Sequence, residues 1–343
     1  MFARTLSTLP FRTLFLVFSC ASLSAGNANA AKLLRWKLEE GETIHVRFVQ
    51  DMTMEASQIG KSTADMAMDM KWVVQDVEQD GTYLLRQSIE RLRMKIHAPG
   101  IEEIEYDTNS EQNSDSPVIQ NLSQSLQPLV GIEFVQNMSD RGEILDVRLS
   151  PRDQAKLEKQ PANAQLRQIF SKDGLKALLS QAATVLPQGP IQPGHRWQGT
   201  TETRSPMGNM HLDLLYTYKG TEVHNGRPLE RIDVRMSIRF GDEVKALGLQ
   251  IDVKDQKNWG TMYFDAKAGR FVETVMNQNM TLETSLGAQT HSQKLDTVLR
   301  MQFVDARAQR DGQVGLSQAP RDGIPVTPVS QTRTVTTETA AAE

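Results

Sequence analysis

The sequence has 343 residues, and its 38 Lys and Arg against 42 Asp and Glu give a formal net charge of −4. This mild acidity argues against a nucleic-acid partner and against a polybasic contact with a membrane surface. After residue 30, no segment approaches the roughly 20 apolar residues of a membrane-spanning helix, so we expect no transmembrane segment in the mature chain.

Residues 1–30 have the pattern of a secretory signal peptide. Two arginines precede a short apolar run, and small residues end the segment at Ala30. We therefore predict cleavage after Ala30 and an exported protein, either periplasmic or extracellular. The alternative is a lipoprotein processed at Cys20, which the large Phe18 two positions earlier disfavours. Cleavage after Ala30 removes the only cysteine, and with it any disulfide, thiolate nucleophile or cysteine metal site.

From Leu33 to about His97, apolar and polar residues alternate, which predicts antiparallel strands. The first two strands should form a long hairpin. Its apolar face carries a stripe that comprises Met52 and Met54 on the first strand and Met66, Met68, Met70 and Trp72 on the second. In the third strand the alternation changes phase near Glu90 and Arg91, which predicts a β-bulge there.

The chain then changes character. Residues 101–117 are acidic and rich in turn-forming residues, and they favour a solvated loop because they lack the spacing of a calcium-binding loop. A helix should follow Pro117, since apolar residues recur at helical spacing at Ile119, Leu122, Leu126 and Leu129. A second hairpin should turn at residues 140–142.

Two further helices are predicted before the strands return. Ser150 should cap a helix that begins at Pro151. Ser171 should cap another, whose apolar face comprises Leu175, Leu178, Leu179, Ala182 and Leu186.

Residues 191–305 return to strand alternation, most clearly where Ile232, Val234, Met236, Ile238 and Phe240 share one face. The tail, residues 306–343, has no aromatic residue and little apolar bulk, so we expect it to be disordered.

Two pairs of similar fragments indicate an internal duplication. An Arg-Trp pair opens each strand-rich region, at 35–36 and 196–197, and QDMTMEAS at 50–57 resembles QNMTLETS at 278–285. The alternative is that strand patterns draw on the same small set of residue types.

Together, the elements predict an α+β fold that is β-rich, with a curved antiparallel sheet or open half-barrel of about ten long strands and a few inserted helices. A single domain would cover residues 31–305. It would comprise a first β half (31–150), a helical insert (151–190) and a second β half (191–305).

The sequence gives no catalytic motif. Its six histidines lack the spacing of zinc-enzyme ligands, and the chain has neither a nucleophile elbow nor a glycine-rich phosphate loop. We therefore expect a protein that is not an enzyme and that uses no metal and no cofactor.

Rows of cations on polar strand faces allow two interpretations. They comprise Arg91, Arg93, Lys95, Arg231, Arg235 and Arg239. One interpretation is an anionic partner, such as an envelope polymer or a lipid headgroup. The favoured one is cross-strand pairing with the equally well placed Asp51, Glu55, Asp65 and Asp69.

The methionine stripe also allows two interpretations, and with them two functions. If the stripe is packed core, the protein is a non-catalytic scaffold or interaction protein for an unknown envelope component. The alternative is a carrier or sensor of a hydrophobic, lipid-like ligand between sheet and helices, since methionine is adaptable and β-branched residues suit a strand better. The candidate lining comprises Met52, Met54, Met66, Met68, Met70, Trp72, Leu122, Leu126, Leu175, Leu178 and Leu179.

Several blocks, among them LRWKLEEGE, MKWVVQDVEQDGTYLLRQSIERLRMKI and LPQGPIQPGHRWQGTTE, resemble a family of secreted proteins of unknown function that is abundant in planctomycete bacteria. The resemblance implies an exported bacterial protein and assigns no activity. The expected shape also resembles the periplasmic lipoprotein carriers, in which the gap between a half-barrel and its helices holds acyl chains.

Overall fold

The computed structural model describes residues 31–56, 60–110, 116–158, 184–205, 208–241, 249–286 and 289–304. The predicted signal peptide, the helix predicted from Ser171 with its Leu175, Leu178 and Leu179, and the tail from residue 306 lie outside the described residues.

In the described part of the chain, twelve strands form one open antiparallel sheet. They are β1 (Thr43–Ala56), β2 (Gly60–Val77), β3 (Tyr83–His97), β4 (Ile104–Asp107), β5 (Glu133–Met138), β6 (Ile144–Leu149), β7 (Arg196–Ser205), β8 (Gly208–His224), β9 (Arg227–Phe240), β10 (Leu249–Asp265), β11 (Arg270–Leu286) and β12 (Gln289–Val304). The helices are α1 (Pro117–Leu126), which continues into a 3-10 turn (Gln127–Leu129), and α2 (Pro151–Glu158). The predicted β-rich class is confirmed.

The strand order is β6-β5-β3-β2-β1-β12-β11-β10-β9-β8-β7, and β4 pairs with β3. Two meanders therefore meet at the centre, where β1 lies beside β12. Strand β3 binds β5 along its first part and β4 along its last part. We call the end of the sheet where β1 and β3 begin the lower end, and the opposite end the upper end.

The predicted bulge in β3 is confirmed. Asp69 pairs with Arg91, whereas the next residue, Met70, pairs with Ile89, so Glu90 is the extra residue. The insertion restores the phase of the strand, and apolar side chains on both sides of the bulge stay on one face.

The predicted start of α2 is also confirmed. Ser150 precedes Pro151, and its hydroxyl accepts a hydrogen bond from the Asp153 backbone N–H at 3.1 Å. The same hydroxyl donates to the Asp153 carboxylate at 2.7 Å. A serine cap followed by proline at the first helical position satisfies a backbone donor that the helix itself leaves free.

The prediction that Leu186 lies on a helix is wrong. Leu186 lies in an irregular segment and is fully buried. Because Pro187 follows it, the helical conformation is disfavoured at this position. Its N–H instead donates to the Arg141 carbonyl at 2.8 Å.

Residues 32–38 and 184–191, which we call the closing segments, cover the lower end of the sheet. The backbones of Lys32 and Ile191 exchange two hydrogen bonds of 2.8 Å and join the segments to each other. Trp36 N–H donates to the Asp140 carbonyl in the β5–β6 turn at 2.7 Å, and Lys37 N–H donates to the Gly269 carbonyl in the β10–β11 turn at 2.9 Å.

The second closing segment reaches both edges of the sheet. Besides the bond between Leu186 and Arg141 beside β6, the Trp197 indole on β7 donates to the Val185 carbonyl at 3.0 Å. Strands β6 and β7 are opposite ends of the strand order. The sheet must therefore curve around these segments.

The main hydrophobic core lies inside this curve, around Trp36. The ring centroid of Trp36 is 6.5 Å from that of Trp72 and 5.8 Å from those of Phe271 and Phe303. Gly142 has a φ of 86° and approaches so closely that a Cβ there would lie 2.7 Å from the Trp36 indole nitrogen. We call the face of the sheet that carries this core the inner face.

The structure gives the duplication hypothesis no support. Trp36 precedes the central strand β1, whereas Trp197 lies within the edge strand β7. Fragment 50–57 belongs mostly to β1, the first strand of the first β half. Fragment 278–285 belongs to β11, which is the fifth strand of the second β half. The two pairs of fragments therefore cannot both be equivalent in one repeat.

Candidate apolar site on the inner face of the sheet

The methionine stripe lies on the inner face, as the alternation predicts. In the β1–β2 hairpin, Trp72 pairs with Ile44, Met70 with Val46, and Met68 with Phe48. Directly paired residues of an antiparallel sheet point to the same side, so both strands contribute to one apolar surface.

Burial changes along this stripe. At its lower end, Met70 and Trp72 are 5% and 9% exposed and belong to the main core. Met68 is half-buried and packs against that core. Towards the upper end, Met66 is half-buried and belongs to neither hydrophobic cluster of the described residues.

The remaining candidate residues follow the same gradient. Met52 and Met54 on the upper part of β1 are half-buried and outside both clusters of the described chain. On α1, Leu126 packs against the main core, whereas Leu122 is half-buried and outside both clusters. The structure therefore joins Met68, Met70, Trp72 and Leu126 in the main core and leaves Met52, Met54, Met66 and Leu122 outside it.

Four further methionines lie on the inner face. Met94 pairs with Met66 across β2 and β3. Met210, Met236 and Met280 lie with the apolar face of β8, β9 and β11, where Met280 forms a second, smaller core with Leu212 and Ile238. Each lies in phase with buried residues of its strand, and that phase is the signal that the sequence offers for them.

Strands β9 and β10 separate towards the upper end. Their backbone pairing ends at Asn258 and Met236. Beyond this point the Gln256 side chain replaces a paired residue, accepting from Ile238 N–H at 2.8 Å and donating to the Ile238 carbonyl at 3.0 Å. A bulge beside it, where Asp255 has a φ of 47°, turns β10 away.

Below the methionines lies a buried polar patch. Gln87 pairs with Trp72 and is fully buried, and neither atom of its amide has a hydrogen-bond partner. The Gln136 amide oxygen and the indole nitrogens of Trp36 and Trp72 are also buried without a partner. Buried polar groups nearly always have one, so these amide and indole groups are exceptional within the core.

The outer face carries the charges, and five of the six cations have acidic partners. Of the four acids predicted as partners, Asp69 is the one in these ion pairs, with Arg93; the other pairs involve different acids. Asp69 accepts from Arg47 at 2.6 Å and Arg93 at 3.0 Å. The others with acidic partners are Arg91 with Asp107, Lys95 with Glu103 and Glu105, Arg231 with Glu222 and Asp233, and Arg239 with Asp213. The hydrogen bond from Arg91 lowers the pKa of Asp107.

Among the described residues, no group of three or more His, Cys, Asp and Glu side chains is placed to hold a metal ion. In the same residues, no helix has the length and the hydropathy needed to cross a membrane.

Residues 80–227 match the model of DUF6263, a family of unknown function. This match agrees with the predicted resemblance to a family of unknown function. That the family is planctomycete remains a prediction. No curated protein sequence matches the chain.

Several solved structures are similar to this fold. Lipovitellin, from a study of its lipid–protein interactions, has 10% identity and a TM-score of 0.45, and the match covers 78% of this chain but only 26% of lipovitellin. A predicted exported protein of Bacteroides fragilis with a YmcC-like fold has 10% identity, a TM-score of 0.30 and coverage of 79% and 98%. The hypothetical lipoprotein YmcC of Escherichia coli has 11% identity, a TM-score of 0.19 and coverage of 75% and 86%. Likenesses this distant carry no functional argument.

Proposed function

We propose that the protein is a non-catalytic binding protein that holds a flexible apolar molecule, such as an acyl chain, against the upper half of the inner face. The observation that carries this proposal is the burial gradient of the stripe. Trp72 is closed into the core, whereas Met66 on the same face of the same strand is left half-buried. Adaptable hydrophobic binding surfaces use methionine in this way.

The inner face also carries no Asp, Glu, Lys or Arg on the described parts of the strands where the ligand would lie. In β1 from Ile44 to Ala56, and in β2 from Ser62 to Val74, every inward position is apolar or uncharged. The inward positions of β11 from Thr274 to Thr284 are likewise uncharged. Since a charged group buried without a partner is costly, this surface favours an apolar ligand over an ionic one.

The shape of the site favours a chain-like ligand. The closing segments seal the lower end, so a ligand would enter from the upper end. The methionines of the stripe, with Met94 paired to Met66, would adapt to the bends of a flexible chain more readily than a rigid β-branched lining.

The test is a titration of the purified protein with a fatty acid whose polyene fluorescence rises in an apolar site. We expect saturable binding that Met66→Glu weakens by about tenfold or more, because a carboxylate would then face the apolar ligand. The matched control is Thr63→Glu, which adds the same charge to the opposite face of β2, where Thr63 is also half-buried. Thr63→Glu should leave binding unchanged.

Two results would overturn this function. One is the absence of saturable binding to the unmodified protein. The other is an equal loss of binding in both variants with folding intact. If Met66→Glu unfolds the protein, Met66→Gln is tested instead. Unaltered binding in Met66→Gln counts against the proposal. The scaffold interpretation would then be the better account.

A further inference from the structure

Trp259 is an unusual residue on the outer face of the sheet. It lies in the middle of β10 and is 39% exposed. It pairs with Arg235 on β9 and with Asn277 on β11. A large aromatic side chain with polar neighbours on an otherwise charged face is typical of a binding surface.

Two cations beside Trp259 lack a counter-charge. Of the six cations predicted to pair or to bind an anion, Arg235 is the one with no acidic partner among the described residues. Lys257 is two residues from Trp259 on the same strand and therefore on the same face, and it too has no acidic partner in the described chain. Each is exposed.

A groove begins at Arg235 and crosses β9, β8 and β7. Its lining includes two outward rows, one of Gln198, Leu215 and Arg235, the other of Thr200, Asp213 and Ser237. The backbone between the rows forms its floor, because Gly199, Leu214 and Met236 there belong to the inward row. Its volume is about 330 Å³, at the small end of the range of about 300–1,000 Å³ for ligand sites.

From these features we infer a second binding site, for an acidic saccharide, formed by Trp259, Arg235, Lys257 and the groove. The apolar face of a sugar ring stacks on Trp259, and the carboxylate of the sugar binds Arg235 and Lys257. Gln198, Thr200 and Ser237 bind hydroxyl groups along the groove. Three interstrand spacings separate β7 from β10, about 14 Å, which accommodates more than one ring.

The charges fix the direction of the ligand. Asp213, midway along the groove, is bound by Arg239 and lies 3.4 Å from the Thr200 hydroxyl. The hydrogen bond from Arg239 lowers the pKa of Asp213, which therefore stays ionised. A carboxylate directed at Asp213 would be repelled, so the acidic group that is bound lies at the β9–β10 end, and the carboxylates of further rings point out of the groove into solvent. This site is on the opposite side of the sheet from the apolar site and does not depend on it.

The test is isothermal calorimetry of the full protein with trigalacturonate, and with a neutral galactose trisaccharide as the matched probe. We expect binding of trigalacturonate that Trp259→Ala and Arg235→Gln each weaken by about tenfold and that Trp259→Phe largely retains. Lys294→Gln, the same loss of charge on an exposed residue of β12, should change nothing. The neutral trisaccharide should bind at least about tenfold more weakly.

Three results would overturn the inference: no binding of trigalacturonate, equal binding of the neutral trisaccharide, or equal losses in Arg235→Gln and Lys294→Gln. A competition with sodium sulfate gives a fourth criterion. If sulfate displaces trigalacturonate equally well from the unmodified protein and from Trp259→Ala, the inference is overturned, because a simple anion site does not need the aromatic ring. Circular dichroism of each variant shows whether it is folded. If Trp259→Ala is unfolded, Trp259→Gln takes its place.

Discussion

The lower and upper halves of the inner face are built from the same strands with the same alternation, yet they differ in burial. Trp72 and Met66 are six positions apart on one face of β2, and Trp72 is core whereas Met66 is half-buried. The difference comes from the closing segments, which cover only the lower half. Alternation therefore determines which face a side chain occupies, and coverage by another segment determines whether that position is core or site.

The largest expected effect is at the centre of the lower half. Trp36→Ala should destabilise the protein by about 3–5 kcal/mol, because it removes a buried ring packed against Trp72, Phe271 and Phe303. Met66→Ala in the upper half should cost about 1 kcal/mol or less. Urea unfolding followed by circular dichroism measures both. Similar losses in the two variants would show that the halves are equally packed.

The closing segments should matter nearly as much. Lys32 donates to the Glu230 carboxylate at 2.6 Å, and Glu230 also accepts from Tyr218 at 2.5 Å and from Thr221 at 3.1 Å. Lys32→Met leaves the buried Glu230 without its cation and should cost about 3 kcal/mol.

A control for this change is Lys219→Met. Lys219 is 50% exposed on the side chain and lies 4.0 Å from Asp233, and such a pair is worth less than about 1 kcal/mol. Equal urea midpoints for the two variants would mean that Lys32 does not anchor the first closing segment.

The buried polar patch predicts a change of opposite sign. Gln87→Met replaces an amide without partners by a side chain of similar shape and should raise the free energy of unfolding by about 1–2 kcal/mol. Gln75→Met, at an exposed position of β2, is the control and should have no effect. A loss of stability in Gln87→Met would show that bound water or a bound ligand satisfies the amide.

The smallest expected effect is on the loss of stability at acidic pH. The folded protein has a lowered pKa at Asp107, mainly because of the hydrogen bond from Arg91. Its contribution to stability is present above the unfolded pKa of about 3.9 and is lost as the pH falls through the folded pKa. In Asp107→Asn, the decline in stability below about pH 4 should therefore be shallower. Thermal unfolding between pH 2 and pH 7 measures it; superimposable pH profiles would contradict the assignment.

Much of the sheet can be predicted from local sequence. Alternation gives the strands, the change of phase gives the bulge at Glu90, and Ser150 before Pro151 gives the start of α2. These features depend on residues close together in the chain.

The closing segments, and with them the limits of the candidate site, cannot be predicted in this way. Residues 32–38 and 184–191 are too short and irregular to show a period, and their partners are distant in sequence: Trp36 contacts Phe271, and Leu186 binds Arg141. Without these segments, the local sequence does not distinguish the buried lower end of the stripe from its half-buried upper end. The second, smaller core, where Met210 and Met236 pack against Met280 of β11, also depends on the order of strands, which alternation does not encode.

The central claim is that the upper half of the inner face holds an apolar ligand, and native mass spectrometry of the protein purified from the cells that make it tests this most directly. We expect a population whose extra mass equals one acyl-containing molecule, which is recovered by solvent extraction and lost in Met66→Glu but not in Thr63→Glu. A protein that carries no extra mass under gentle ionisation, and that gains none when acyl lipid is added, would contradict the claim and make the whole methionine stripe core.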